Sequence, residues 1–363
     1  MALKLETYFR DFLREIRLTD NQIQELKVAH ETLRGRLMND DKLKDIIVGT
    51  FLQGSYKRST AVRPKNGNRS DVDIIIVTNL DKNKIEPDNA IEKFRPFLKK
   101  YYDGKFRKQG RSWGIEMSHV DLDIVPTSAP SEIEDKSLRD YFIKSDEDIE
   151  SIINEIKTNN IKKLYMENFI KIKRSNSKWQ DDPLYIPDRK IKEWGKTHPI
   201  EQIRWTLEKN KNCNNHYINV VKSLKWWRKE KYPDGTIKSY PLEHFIGNCC
   251  PNNINSVAQG ITETLEYIVR THPFKPYLSD RGVPEHNVFK HLNEDEYEIF
   301  YDEVKKAAIV ARKAYDSETV LEATEYWREL LGNKFPEGPK NNSNDKLTKR
   351  EVLSSNLTGG RFS

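Results

Sequence analysis

Apolar positions change period along the chain, and each change marks a change of element. Near the N-terminus Tyr8, Phe9, Phe12, Leu13 and Ile16 recur at three- and four-residue spacing, which predicts an amphipathic helix. Thr19 and Gln22 then form a capping-box signature for a second helix carrying Ile23, Leu26, Ala29, Leu33 and Leu37. The period shortens after that. Ile46–Leu52 is a β-rich run ending in Gln53-Gly54-Ser55, and Asp71-Val72-Asp73-Ile74-Ile75-Ile76-Val77 is a second run, buried on at least one face. A helix near Asn89–Tyr102 follows, then a basic, turn-rich patch from Lys105 to Arg111. Ser112–Met117 and His119–Val125 read as another β pair, stopped by Pro126. From about Leu138 the pattern is mainly helical, with a long candidate around Tyr217–Lys231, another after Pro241, and a last set from Glu294 to Leu331.

This pattern predicts an α+β protein of two lobes: a mixed sheet with flanking helices over 1–135, and a helical lobe over 136–336. Residues 337–363 are rich in Asn, Ser, Gly and Lys with almost no large apolar side chains, so they are expected to form a disordered tail. Composition adds limits. A chain of 363 residues can bury two cores, and although the hydrophobic share is only 36%, 7 Trp, 14 Phe and 16 Tyr supply large apolar bodies. With 62 Lys+Arg against 56 Asp+Glu the net charge is +6, a mild excess that neither requires nor excludes a groove for a nucleic-acid polymer. No run approaches the roughly 18 apolar residues of a membrane span, and Met1–Glu6 opens straight into a charged amphipathic pattern, so a cytoplasmic protein is expected. Three cysteines are too few for a disulfide framework. Cys213-x-x-His216 and Cys249-Cys250 could supply four zinc ligands, but no second CxxC or HxxxH accompanies them, and buried cysteines commonly act as small hydrophobes.

Three features carry chemistry. Gly54-Ser55 closes a strand where a glycine lets backbone N–H groups approach a phosphate and a hydroxyl can bond one of its oxygens, although such a dipeptide alone is commonly a plain turn. In Asp71-Val72-Asp73 the strand period of two sends both carboxylates to one face, and the apolar run that follows is that of a central strand rather than a solvated one. Val120-Asp121-Leu122-Asp123-Ile124-Val125-Pro126 repeats the arrangement. Clustered carboxylates repel unless a cation lies between them, and hard oxygen ligands select Mg²⁺, with Mn²⁺ as an alternative. Three aspartates on adjacent strands can hold two such ions, which activate a hydroxyl and neutralise a pyrophosphate leaving group, so the reaction class is nucleotidyl transfer.

The order Gly54-Ser55, Asp71-x-Asp73 and Asp123-Ile124-Val125-Pro126 resembles the polymerase-β-type nucleotidyltransferases. Within them the chain is most similar to the cGAS/DncV-like nucleotidyltransferases (CD-NTases), which make cyclic oligonucleotides. The likeness continues through Leu224-Lys225-Trp226-Trp227, Lys238-Ser239-Tyr240-Pro241-Leu242-Glu243 and the ending Trp327-Arg328…Phe335-Pro336, covering about Thr50 to Pro336. The resemblance implies Asp71, Asp73 and Asp123 as catalytic metal ligands, with Asp123 preferred to Asp121 for its Ile-Val-Pro ending. It implies Gln53, Gly54 and Ser55 positioning phosphates, Lys225 and Ser239 clamping them, and Tyr240 stacking on a base. Asp280 and Asn287 resemble, more loosely, a loop near the nucleotide pocket. Lys57, Arg58, Arg63, Lys65 and Arg69 could touch phosphates or form a solvated loop, and Trp226, Trp227 and His119 read as structural. The implied function is synthesis of a cyclic di- or trinucleotide second messenger from NTPs in bacterial anti-phage (CBASS-type) signalling, with a separate effector that binds the product. The tail through Gly359-Gly360 could serve as a handle for a regulatory partner. The zinc insertion of the vertebrate DNA sensor has no recognisable counterpart, so a nucleic-acid activator acting through it is not implied. Two other readings stay open: a linear nucleotidyltransferase of the RNA 3′-end or oligoadenylate type, and an inactive nucleotide- or RNA-binding module.

Overall fold

The computed structural model describes residues 3–65, 67–128, 183–231 and 237–339. Two helices open it, α1 (Glu6–Ile16) and α2 (Asp20–Met38), the second closed at its start by the Thr19/Gln22 capping box. Then come β1 (Ile47–Gln53), the single turn α3 (Gly54–Lys57) and β2 (Ser70–Thr78). The basic patch holds a short strand β3 (Phe106–Lys108), followed by β4 (Trp113–Glu116) and β5 (Val120–Ser128). β1 runs antiparallel to β2, β2 parallel to β5, and β5 antiparallel to β4, giving the order β1-β2-β5-β4-β3.

The two faces of this sheet differ. On one, Val72, Ile74, Leu122 and Ile124 pack under α2 and under two helices, α4 (Pro87–Glu92) and α5 (Arg95–Tyr102). On the other, Ile75, Val77 and Val125 form a smaller apolar cluster, while at the start of the same face Asp71, Asp73, Asp121 and Asp123 stand clear of the core. Strand alternation thus separates the acids from the packing residues one step at a time.

The structure departs from the sequence pattern in four places. The helix expected over Asn89–Tyr102 is broken into α4 and α5, because Pro96 has no N–H to donate to the carbonyl four residues back and sits instead in the first turn of α5. Pro126 does not stop β5; it lies past the end of β4's pairing at Ile124, where no neighbour on that side asks for its missing N–H. A hairpin expected to be helical, β6 (Leu184–Asp188) and β7 (Glu193–Thr197), joins the sheet at Ser128↔Tyr185, so the sheet draws on residues beyond 135. Finally, α1 packs on the helical lobe rather than on the sheet: Phe9 meets Trp327 and Phe335 edge-on at 5.0 and 5.1 Å.

That lobe is built from α6 (Pro199–Asn212), α7 (Tyr217–Lys231), α8 (Ser239–Cys249), α9 (Val257–Thr271), a small ribbon of β8 (Ser279–Asp280) and β9 (Val283–Asn287), α10 (Glu294–Asp316) and α11 (Val320–Leu331). α7 is its axis, buried on nearly every side, and both Trp226 and Trp227 are core residues, the former donating its indole N–H to the Leu331 carbonyl at 3.1 Å. Among the described residues no helix is long and apolar enough to cross a membrane. The region 136–182 of the expected helical lobe and the tail from residue 340 onward lie outside the described residues.

Candidate active site

The site is set by register. Pairing of β2 with β5 places Asp71 level with Asp121 and Asp73 level with Asp123, so two strands far apart in sequence present four carboxylates on one face. Antiparallel pairing sets Gln53 opposite Asp73 and brings Gly54 against that side chain. Gly54 has φ +80°, and a Cβ there would lie 1.9 Å from the Asp73 carboxylate oxygen Oδ2, so the position excludes other residues both by conformation and by space. Gly54→Ala is therefore expected to cost about 1–2 kcal/mol of stability in a urea titration and to reduce turnover further than that loss explains, because Asp73 must move.

Burial raises the proton affinity of Asp71, Asp73 and Asp123, and neighbouring carboxylates add to it at Asp71 and Asp123. Enclosure in the cleft, then Asp73, Asp123 and Asp121, push Asp71 upward, although it is the most open of the set. Burial likewise raises Asp73, with Arg58 pulling the other way. Burial and Asp73 take Asp123 to about 6, opposed by a hydrogen bond from Gln109. Gln109 donates through Nε2 to Asp123 Oδ1 at 2.9 Å, and its Oε1 accepts from the Ser112 hydroxyl at 2.6 Å; the side chain reaches across β4 where Gly114 leaves room. Asp121 instead accepts from Arg69 at 3.1 Å, which also bonds Glu116. Of the two candidates on β5, Asp123 is the one level with Asp73, and Asp121 is the one with an arginine partner.

Four acidic side chains on one face, all oxygen donors, suit a hard divalent cation, which would relieve the repulsion that adds to burial at Asp71 and Asp123. In this arrangement no three Asp, Glu, His or Cys side chains among the described residues converge on one point. Asp123 Oδ1 is turned to Gln109. The same holds for the cysteines: all three are buried thiols, Cys213 donates to the Pro251 carbonyl at 3.3 Å, and the zinc arrangement of Cys213, His216, Cys249 and Cys250 is not formed.

Beneath the carboxylates the two lobes are joined by a buried ion cluster. Arg58, only 6% exposed, donates through Nε to Glu243 Oε1 at 2.7 Å; Thr60 donates to Glu243 Oε2 at 2.7 Å. Lys225, expected to reach a phosphate, is 3% exposed and donates to the Thr60 carbonyl at 3.0 Å and to Glu243 at 3.4 Å. Arg58 also lies over the ring of Tyr240, 5.3 Å from its centroid, and the Tyr240 hydroxyl donates to Asp280. Ser239 accepts from Arg228 at 3.1 Å, and Gln53 donates to Gln202 of α6 at 3.2 Å.

The structure therefore gathers Gly54, Ser55, Asp71, Asp73 and Asp123 at one end of the sheet, and ties Tyr240 and Lys225 to it through Arg58 and Thr60. The loop basics are engaged rather than solvated: Lys65 pairs with Glu230, and Arg63 donates to the Arg17 carbonyl at 3.0 Å. Asn287 caps backbone N–H groups of Leu278 and Phe289, a structural role. His119 is exposed, and its backbone carbonyl accepts from Ser70. Sequence reasoning missed Glu243 and Gln109, since a single acid on a helix and a glutamine in a turn carry no pattern; Glu243 stands three residues past Tyr240 in the same motif, which is the one signal available.

A family model for the Second Messenger Oligonucleotide or Dinucleotide Synthetase domain matches residues 3–160. The chain is 43% identical over 356 residues, 92% of each protein, to a cyclic AMP-AMP-GMP synthase of Enterobacter hormaechei subsp. hoffmannii (strain UCI 50). It is 29% identical over 346 residues to a cyclic AMP-AMP-AMP synthase of Acinetobacter sp. (strain ATCC 27244 / 9458), covering 92% of this chain and 86% of that one. Its fold is similar to that of CdnC from E. coli MS115-1 in a CdnC:HORMA-deltaN complex, with a TM-score of 0.62 at 15% identity over 92% of this chain and 99% of that one.

Proposed function

The chain belongs to the cGAS/DncV-like nucleotidyltransferases (CD-NTases), enzymes that make cyclic oligonucleotide second messengers, and from that premise we propose that its product is a cyclic trinucleotide of two adenylates and one guanylate. The observation that carries the activity is the level pairing of Asp73 with Asp123 beside Gly54. The choice of product rests on the 43% identity with the cyclic AMP-AMP-GMP synthase.

The family uses divalent metal ions, and here the cleft would take two, as Mg²⁺ or Mn²⁺, for which Asp71, Asp73 and Asp123 would be the ligands. When bound, the ions supply positive charge to the triphosphate and make the acceptor hydroxyl easier to ionise. In each round the acceptor ribose oxygen forms a bond to the donor α-phosphorus, the bond to the β-phosphate breaks, pyrophosphate leaves, and the hydroxyl proton passes to solvent. Three rounds, the last intramolecular, close the ring.

The chain's own groups orient these steps. Gly54 brings the backbone of its turn close to the phosphates, Ser55 offers a hydroxyl at the first turn of α3, and Gln53 is held in place by Gln202. Tyr240, its hydroxyl fixed by Asp280 and one face backed by Arg58, offers its ring to a base, and Ser239 beside it adds a hydroxyl to a phosphate. Lys225 contributes positive charge from beneath the cleft, through the Glu243 cluster. The product is read by a separate effector in anti-phage signalling, and a regulatory partner acts on the enzyme, as the CdnC:HORMA-deltaN complex illustrates for a protein of this fold.

Incubating the purified chain with all four labelled NTPs and Mg²⁺ or Mn²⁺, then with phosphatase, tests this by mass spectrometry. The expected product is phosphatase-resistant, contains two adenylates and one guanylate, and is absent with Asp71→Asn/Asp73→Asn. Phosphatase-sensitive ladders would instead establish a linear transferase, and a resistant product of another composition would overturn the base assignment alone.

A further inference from the structure

Asp121 and Asp123 lie on the same face of β5, two residues apart, yet they have different partners. Asp121 accepts from the Arg69 guanidinium at 3.1 Å, so its charge is already met by a cation. Asp123 accepts at Oδ1 from an uncharged group, the side-chain amide of Gln109, at 2.9 Å. The direction of that amide is fixed from both ends. An ionised carboxylate only accepts, so Nε2 faces Asp123, while the buried Ser112 hydroxyl donates to Oε1 at 2.6 Å.

The surrounding chain holds Gln109 in this place. Its backbone N–H donates to the Ser112 carbonyl at 3.1 Å, which closes the turn between β3 and β4. The turn is docked on the β6–β7 hairpin: the Arg189 N–H donates to the Gly110 carbonyl at 3.0 Å, and Arg111 pairs with Asp188 at 2.7 Å. The Gln109 side chain then crosses β4 at Gly114, where a Cβ would lie 2.5 Å from Gln109 Nε2 and 3.2 Å from Asp123 Oδ1. Arg107 crosses the same gap, its Nε 3.0 Å from that Cβ position, but it pairs with Glu116 at 3.3 Å. A cation thus lies in the same passage, and the group bonded to Asp123 is nonetheless the neutral one.

We propose, on the reading of Asp123 as a metal ligand given above, that Gln109 is a positioning residue for catalysis: its amide fixes the Asp123 carboxylate through Oδ1 and leaves Oδ2, with the full negative charge of the group, for a divalent cation. Orienting a ligand differs from neutralising it. An amide donates a hydrogen bond without net charge, so the carboxylate keeps its attraction for an ion. A guanidinium or ammonium in its place would satisfy the same oxygen and cancel that attraction, as Arg69 does at Asp121. Holding the carboxylate in one orientation beforehand also lowers the ordering cost of ion binding.

Binding of Mn²⁺ to the full chain without nucleotide, read from the loss of the free ion's electron paramagnetic resonance signal, tests this apart from turnover. Gln109→Leu should weaken binding about 10–100-fold, the usual effect of removing a group that orients a metal ligand, with the far-ultraviolet circular dichroism of the metal-free protein unchanged. The Mg²⁺ concentration for half-maximal turnover should rise in step. Gln109→Asn, one methylene too short to span β4, should match it and keeps the test decisive if leucine is not tolerated in the turn. Gln109→Lys should bind no better than Gln109→Leu, because the donor returns together with a competing charge. Wild-type affinity in both Gln109→Leu and Gln109→Asn would overturn the positioning role, and wild-type affinity in Gln109→Lys would overturn the requirement for a neutral donor. Asp123→Asn in the same titration separates the two levels. If it binds Mn²⁺ as the wild type does, Asp123 is not a ligand and the reading of the site falls; if it binds weakly while Gln109→Leu binds normally, only the role of Gln109 falls.

Discussion

Asp73→Asn should abolish cyclic product within the reach of a mass-spectrometric assay, a loss on the order of 10²–10³-fold or more, while leaving the fold intact. Asp73 occupies the centre of the carboxylate set: level with Asp123, two residues from Asp71 and in contact with Gly54. Asparagine keeps its volume, so the Gly54 contact survives, but one anionic oxygen donor is removed. Since burial already disfavours the charged form of Asp73, the neutral variant should unfold at the same urea concentration as the wild type or slightly higher. Normal product formation by a folded Asp73→Asn protein would sink the assignment of this face as the catalytic one.

Glu243→Gln should have the largest effect on stability, about 3–5 kcal/mol. Glu243 is the shared partner of two cations in a buried region: its side chain is 3% exposed, Arg58's 5% and Lys225's 3%. Removing the one anion strands both. The double variant Glu243→Gln/Lys225→Met should regain part of the loss, which a simple packing defect would not allow; a Glu243→Gln protein as stable as the wild type in urea would refute the view of the cluster as the lobe-to-lobe tie. The same residue sets a pH dependence. Burial by itself raises the Glu243 carboxyl, but Arg58, Lys225 and hydrogen bonds from Arg58 and Thr60 outweigh it and lower it from its ordinary 4.5 to about 2. A depressed folded-state pKa means stability that is fully present above the ordinary value and is lost as pH falls from about 4.5 toward 2, about 3 kcal/mol in all. Urea midpoints measured down this window should fall in the wild type and fall less in Glu243→Gln.

The elements that were legible beforehand are those whose cause is local. The Thr19/Gln22 cap, the α7 helix over Tyr217–Lys231 and the strand at Asp71–Val77 each announce themselves within a few residues, because helix caps and side-chain alternation act over one or two turns. Those that were missed depend on distant neighbours. Leu184–Asp188 contains a proline and an aspartate and has no strand pattern of its own; it is a strand because β7 and the end of β5 supply its partners. α1 carries an apolar stripe but nothing that says which lobe receives it, and Phe9 finds its place between Trp327 and Phe335, more than three hundred positions away.

The candidate site divides along the same line. From the residues alone it follows that Asp71 and Asp73 share a face, that Asp121 and Asp123 share another, and that a glycine precedes Ser55, since each is a matter of strand period and residue type. Only the tertiary structure sets Asp123 rather than Asp121 level with Asp73, folds Gly54 onto Asp73, and pairs Lys225 with Glu243. Register between strands and the partner of a buried charge are decided by contacts across the whole chain, where one residue of slip reverses every face and one carboxylate decides whether an ammonium can be buried at all.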